Sequence, residues 1–290
     1  MDPDSHSSSP DVGGGARADA SPRPWRRAPG EPPALIGVVH LRALPGAPGH
    51  PSLGSLDAVF EAAEVDARAF AGGGARALIV ENFGDVPFHA GRVDPETVAA
   101  MALAVERVAR AAPGLTVGVN VLRNDARAAL GLCAATVAAF LRVNVLAGAA
   151  VTDQGVIEGR AAELLRERGR LGIDAPILAD VHVKHASPLG GGDIATAAEE
   201  LAFRAGADAL VVSGRATGSE ADLDDVRAVR RACPDTPLLL GSGVTEANVS
   251  AYAGLVDAVI VASSVKTDGV LAAPVDRDRV AALADALAAE

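Results

Sequence analysis

The 290-residue chain is 49% hydrophobic but only 3% aromatic, enough aliphatic material for one large α/β domain or two smaller ones. Its formal net charge of −11 argues against nucleic-acid binding, which rests on fields of Lys and Arg. No apolar run approaches the roughly 20 residues that span a bilayer, and no basic patch precedes a hydrophobic stretch at the amino terminus, so a soluble cytoplasmic protein is expected.

Residues 1–33 are rich in Ser, Gly, Pro, Ala and Asp without hydrophobic period, a composition that cannot repay its ordering entropy. They are expected to form a disordered extension, in which Arg23 to Arg27 with Trp25 has at most a weak attraction for anionic surfaces. From Ala34 onward, short β-branched runs alternate with Ala-rich helical stretches. The predicted strands are 35–40, 77–82, 116–121, 140–145, 177–183, 209–213, 238–242 and 258–262. Predicted helices between and after them include 55–71, 94–112, 155–172, 194–206 and 275–289. Cys133 and Cys233 fall in helical stretches without metal or redox spacing, and read as buried thiols.

Eight β units within residues 34–290 match the (β/α)8 or TIM barrel, usually about 250 residues long. The rival is an open doubly wound sheet. Against it, the first βα turn lacks a Gly-rich dinucleotide fingerprint, and polar residues collect at the carboxyl ends of nearly all the strands. The triple glycine Gly72 to Gly74 lies at the other end and reads as a helix stop and turn.

Side chains alternate across a strand, and in a barrel one set fills the lumen. In ILADVHV, Ala179, Val181 and Val183 would face the helices. Asp180, His182 and Lys184 would then point inward, rising about 13 Å along the strand at roughly 3.3 Å per residue. The same parity sends Arg142, Asn144, Asn120 and His40 inward, together with either Glu81 or Asn82. An internal network is one reading, with Asp180 pairing Arg142 as an ionic plug of the barrel floor. Lys184 is a different case, because the chain has 26 basic residues of which only Lys184 and Lys266 are lysines. At the mouth, a desolvated Lys184 has three open roles: Schiff-base formation, acid or base catalysis, or neutralising a phosphate.

GSGVT (241–245) runs toward a helix expected from Glu246, and ASSVKTDG (262–269) follows the eighth strand. Loops after strands 7 and 8 often hold phosphate in such barrels. Gly241, Ser242, Gly243, Thr245, Ser263 and Lys266 are the candidates, with further donors in SGRATG (213–218), beginning at Ser213. A divalent metal on His40, Glu81, Asp180 and His182 stays open as an N/O site, although no His-Glu helical motif or Cys pair supports it. No cofactor is assigned.

GVVHLRALPGAPGH, ALIVENFGDVPF, GVNVLRNDARAAL, FLRVNVLAGAAVTDQGVIEG, ILADVHVKHASPL, GSGVTEANV and the late KTDGV resemble, in this order, the BtpA/SgcQ family over residues 35–280. The resemblance implies a barrel of the ribulose-phosphate-binding type. It also implies kinship with a cyanobacterial protein needed for stable photosystem I, and with proteins encoded beside sugar-uptake genes. It carries over His40, Glu81, Asn82, Asp85, Asn120, Arg123, Asn124, Asn144, Asp153, Asp180, His182 and Lys184 as pocket residues. Where relatives often have two adjacent lysines before the Asp-Gly, this chain has Lys266 and Thr267.

Two functions follow. One is an enzyme acting on a phosphorylated small molecule, a sugar phosphate or nucleotide-like compound, by isomerase, epimerase, aldolase or lyase chemistry. In it, Lys184, His182, Asp180, Glu81 and His40 do the chemistry, and Asn82, Asp85, Asn120, Arg123, Asn124, Asn144, Asp153 and Ser213 hold the substrate. The other is a noncatalytic factor, peripheral to membranes, for photosystem I assembly or stability. That role has no need of an acid, a base and two cations in one lumen. Either form is compatible with a homo-oligomer.

Overall fold

The computed structural model describes residues 23–28, 30–51, 56–214 and 219–289. Most of the expected disordered extension, residues 1–22, lies outside these, as does the 215–218 part of SGRATG.

Eight parallel strands close into a barrel in the order β1, β11, β10, β9, β7, β4, β3, β2. These are β1 (Ala34–His40), β2 (Ala77–Glu81), β3 (Thr116–Asn120), β4 (Phe140–Val143), β7 (Ile177–Val181), β9 (Ala209–Val212), β10 (Leu238–Leu240) and β11 (Ala258–Val261). β1 ends at His40 as its sequence suggests, and the other seven are one or two residues shorter at their carboxyl ends, where the chain leaves the ladder to build the mouth. The helices are α1 (Leu56–Gly72), α2 (Pro95–Ala111), α3 (Ala126–Ala135), α4 (Ala161–Leu171), α5 (Ile194–Glu199), α6 (Leu223–Ala232), α7 (Ser250–Ala253) and α8 (Arg277–Ala288).

The alternation of strand side chains divides the core in two. Leu35, Val39, Leu78, Val80, Leu141, Val143, Ile177 and Ala179 face the helices, while Ile36, Val38, Ile79, Phe140, Leu178, Val211 and Ile260 fill the lumen. Phe140 is accommodated by its register partner Gly118, where a Cβ would fall 2.3 Å from the ring.

The described residues begin before Ala34. Trp25 is 0% exposed, within the lumen core, and meets Phe140 edge-on at 5.1 Å between centroids. Arg23 approaches Asp208 at 3.4 Å and Arg27 approaches Asp257 at 3.8 Å, pinning this segment across the amino-terminal end of the barrel. Trp25 is therefore a floor plug and not a surface anchor. Low hydrophobicity around a single aromatic residue hid this.

A second correction concerns residues 155–172. A separate three-stranded antiparallel sheet joins β5 (Ala149–Thr152), β6 (Gly155–Glu158) and β8 (Ala186–Pro188), and α4 starts only at Ala161. Gly155 turns the β5–β6 hairpin at φ 95°, and its flanking Val and Ile residues favour strand over helix.

Candidate active site

The first three strands end level with one another. His40 pairs in register with Glu81, and Glu81 with Asn120, so parallel pairing brings three polar side chains to one height on the lumen face. Glu81, not Asn82, is the inward residue of the second strand. Asn82 instead accepts from Leu122 N at 2.7 Å and donates to Asp85 at 3.1 Å, while Asp85 accepts from Leu44 N at 2.7 Å. These two residues brace loops around the rim.

Arg142 and Asp180 form a bidentate pair at 2.9 and 3.0 Å, both buried. Asn144 donates to the same carboxylate at 2.9 Å, and Asn120 donates to Asn144 Oδ1 and Arg142 O, each at 3.1 Å. The pair lies above the apolar lumen layers, so it forms the base of the mouth, and the floor belongs to Trp25. Burial alone would depress the Arg142 pKa, but Asp180 and Glu81 hold it above its ordinary value.

Around this base, burial sets the proton chemistry. Burial pushes Glu81 above the usual carboxylate range despite the cations Arg142 and Lys184. Lys184 is held below the usual ammonium value, first by burial and then by Arg142. Its ammonium makes no hydrogen bond or ion pair among the described residues. His40 is pushed down to about 3 by burial, then by Lys266, Lys184 and Arg142. Its Nε2 lies 3.6 Å from Glu81, but a neutral imidazole makes this a polar contact and not an ion pair. Phe83 stacks on the ring at 4.1 Å, a partner that follows directly from ENFG and was overlooked in the sequence.

The alternation fails at His182, whose φ of 54° lies in the left-handed region that costs a non-glycine residue energy. The chain turns there. Lys184 still reaches a slot of about 30 Å³ shared with His40, Glu81, Arg142, Gly241 and Ser263. His182 enters a neighbouring cavity of about 130 Å³ with Asn144, Asp180 and Glu200. The straight inward row of Asp180, His182 and Lys184 is thus broken in two.

On the opposite side, Gly241, Ser242, Gly243, Val244, Ser263 and Ser264 line the slot. Gly241 has no room for a side chain, since a Cβ would fall 2.5 Å from Ser213 Oγ and 3.5 Å from an Arg142 nitrogen. Asn248 braces this loop, donating to Gly243 O at 2.9 Å and accepting from Thr245 N at 2.8 Å. It is a residue the sequence reading missed. Thr245 is not in the lining, and the helix expected from Glu246 is only the four-residue α7, so no long helix end faces the slot.

Lys266 is elsewhere. It is 3% exposed and bonds Asp66 of α1 at 2.6 Å, with Val275 N on the other carboxylate oxygen at 2.8 Å. Nothing local signals a partner 200 positions away. Among the remaining expected residues, Arg123 donates to Lys184 O at 2.7 Å. Asn124 spends both amide atoms on Val145 backbone, at 2.9 Å each. Asp153 lies exposed at the β5–β6 turn, bonded to Gln154 at 2.6 Å. Among the described residues no three His, Cys, Asp or Glu side chains stand together to hold a metal ion, because Asp180 is committed to Arg142 and His182 turns aside.

Among the described residues, three buried polar atoms at or beside this mouth have no partner: His40 Nδ1, Asn120 Oδ1 and Ser213 Oγ. Buried polar groups are almost always paired with protein or ordered water, so this end of the barrel has places for water or a ligand, although Trp25 Nε1 at the floor and Gln154 Oε1 are unpartnered as well.

The BtpA family model matches residues 31–289. The chain belongs to the BtpA family. It is 47% identical to the photosystem I biogenesis protein BtpA of Synechocystis, over 88% of each chain. It is also 34% identical to the sgc region protein SgcQ of Escherichia coli, covering 85% of this chain and 91% of that one. In fold, this BtpA-family barrel is similar to phosphoribosyl anthranilate isomerase from Thermus thermophilus, with a TM-score of 0.53 at 16% identity over 88% of this chain and 98% of the other. No helix among the described residues is long and apolar enough to cross a membrane.

Proposed function

We propose that this BtpA-family protein is an enzyme that binds a small phosphorylated molecule at the carboxyl end of its barrel and moves a proton on the carbon skeleton. The reaction is of the isomerase, epimerase, aldolase or lyase kind. The observation that carries this reading is the set of unpartnered buried polar atoms on His40, Asn120 and Ser213. Each left unsatisfied costs about 1–3 kcal/mol, a cost that a hydroxylated ligand removes. The glycine and serine loops at 241–244 and 263–264 suit the phosphate, with Lys184 supplying the charge that Lys266 does not.

Glu81 and Lys184 are the proton carriers. Burial raises the first and lowers the second, which brings an acid and a base toward the working range that proton transfer requires. Neutral His40 holds a substrate oxygen through Nδ1, while Asn120, Asn144 and Arg142 form a fixed base beneath it. A sugar phosphate exceeds a slot of about 30 Å³, so entry displaces the segment after β7. That segment carries consecutive positive-φ glycines at 190, 191 and 192, which give it conformational freedom.

The test is the thermal stability of the full chain with sugar phosphates and with the matching free sugars. A phosphorylated ligand at a hundred times its Kd adds about 2.7 kcal/mol, and Lys184→Ala is expected to abolish the shift. Glu81→Gln should retain the shift and lose turnover. Absence of a shift with every phosphorylated compound at millimolar concentration rejects the reading. Borohydride reduction in the presence of a carbonyl ligand separates a Schiff-base role of Lys184, which leaves a covalent adduct, from acid-base catalysis, which does not.

The 47% identity to a photosystem I biogenesis protein favours a second reading, a noncatalytic assembly factor. Co-sedimentation with photosystem I subunits that survives Lys184→Ala, together with no ligand-induced shift, would support it.

A further inference from the structure

Outside the barrel wall, a cavity of about 730 Å³ lies between α3, α4 and the β5–β6 hairpin, within the size range of sites for small organic ligands. Its floor is apolar, formed by Val143, Val145, Leu146, Ile157 and Leu164. Arg142 and Asn144 point into the lumen, so the intervening Val143 points out of it, while Val145, beyond the strand, lies between this cavity and the one that His182 enters. Val143 in the strand wall and the Val145 side chain beyond it stand between this cavity and the mouth.

The rim carries Arg92, Arg127, Arg160, Arg166 and Arg170 against the carboxylates of Asp125, Glu158, Glu163 and Glu167, a nearly balanced set with a slight excess of arginine on a chain of net charge −11. Several of these charges are already paired. Arg127 and Arg170 share Glu167 at 3.5 and 2.7 Å, Arg160 holds Glu163 at 3.1 Å, and Asp125 caps α3 and accepts from Val93 N. Arg166 reaches only a backbone carbonyl, Ala162 O at 2.8 Å, and neither it nor Arg92 has an ion-pair partner among the described residues.

We infer that this lateral cavity is a second binding site, for a small organic anion with an apolar body and a single carboxylate, sulfonate or phosphate head. The body rests on the valine and leucine floor, and Arg92 and Arg166, the rim arginines without an ion-pair partner among the described residues, are the groups offered to the head. A sugar phosphate does not fit this chemistry. The amide of Asn124, the uncharged polar side chain in the lining, is held by Val145 through both its nitrogen and its oxygen, and the floor beside it is apolar, a poor surface for a row of hydroxyl groups. Ligands of the mouth and of this cavity are therefore chemically distinct, and the inference stands whether or not the mouth is catalytic.

Fluorescence titration of the full chain with anilinonaphthalene sulfonate, an aromatic body with one anionic head, tests it. Saturable binding at one site per chain is expected, displaced by decanoate and not by inorganic phosphate. Val156 is 54% exposed at the cavity edge, so Val156→Trp can fill the opening without disturbing the core, and it should remove binding. Arg92→Glu with Arg166→Glu should weaken binding by about tenfold or more, and Lys184→Ala should leave it unchanged. Melting temperatures of the variants separate loss of the site from loss of the fold. Binding that is not saturable, that persists in Val156→Trp, that is displaced by phosphate alone, or that is lost in Lys184→Ala would overturn the inference.

Discussion

The two ends of the lumen are built from the same inward-facing strand positions and do opposite things. At the amino-terminal end, Trp25 and Phe140 pack edge to face among aliphatic side chains, Trp25 Nε1 is the one unpartnered polar atom among the described residues there, and the lumen is closed. At the carboxyl end, His40, Glu81, Asn120, Arg142 and Asp180 occupy the next positions along the same strands, and unpartnered polar atoms remain on His40 and Asn120. One end contributes burial and the other gathers polar side chains, a division general to this architecture. Between them, the Arg142–Asp180 pair belongs to both. It is buried and fully bonded like the floor, yet it lines the mouth and sets the potential felt by Glu81 and Lys184.

That double membership makes Arg142 the place where the contrast breaks most visibly. Arg142→Ala strands a buried carboxylate with only Asn144 as donor, and a loss of about 3–5 kcal/mol in urea denaturation is expected. Replacing both partners, Arg142→Met with Asp180→Leu, should recover most of that stability while leaving the mouth unable to bind. If the double variant is as unstable as the single, the pair holds the barrel together by more than charge. Trp25→Ala is expected to cost about 3 kcal/mol by leaving a cavity under Phe140, with ligand binding retained. Lys184→Met should reverse that pattern. Replacing a half-buried ammonium that has no partner among the described residues changes stability by less than about 0.5 kcal/mol or raises it, while phosphate-ligand binding disappears.

Much of this division was legible in the chain. β-branched runs at regular spacing located all eight barrel strands. Period-two alternation placed Arg142, Asp180, Asn120 and His40 inside, and the register of parallel strands then put His40, Glu81 and Asn120 level. Legibility ends where the backbone stops being a strand. His182 at φ 54° changes direction, and no residue count predicts which cavity it enters. β5 and β6 are four residues each, too short for a period to distinguish them from the start of α4. Lys266 and Trp25 failed for another reason. Their partners, Asp66 and Phe140, are remote in sequence, and composition near each pointed to a phosphate loop and to a disordered tail. Local pattern identifies elements and faces. Pairing across the fold decides whether a buried charge is structural or available.

The smallest expected effect discriminates between two adjacent groups at the mouth. His40 titrates at about 3 in the folded chain against 6.5 ordinarily, so the unfolded chain takes up its proton first as the pH falls. The stability His40 contributes is therefore full above about 6.5 and lost progressively toward 3. Glu81 has the opposite sign. Its folded pKa is raised above 4.5, so the folded chain binds the proton more readily, and its penalty at neutral pH is relieved as the pH falls through the folded value. The two oppose each other in the acid range, 3.6 Å apart. Denaturation midpoints between pH 4 and 7 should then fall less steeply in His40→Gln than in the parent chain and more steeply in Glu81→Gln. Parallel curves for both variants would mean that burial at the mouth is shallower than the contacts imply, and that the polar end is wetter and less distinct from bulk solvent than the sealed floor makes it look.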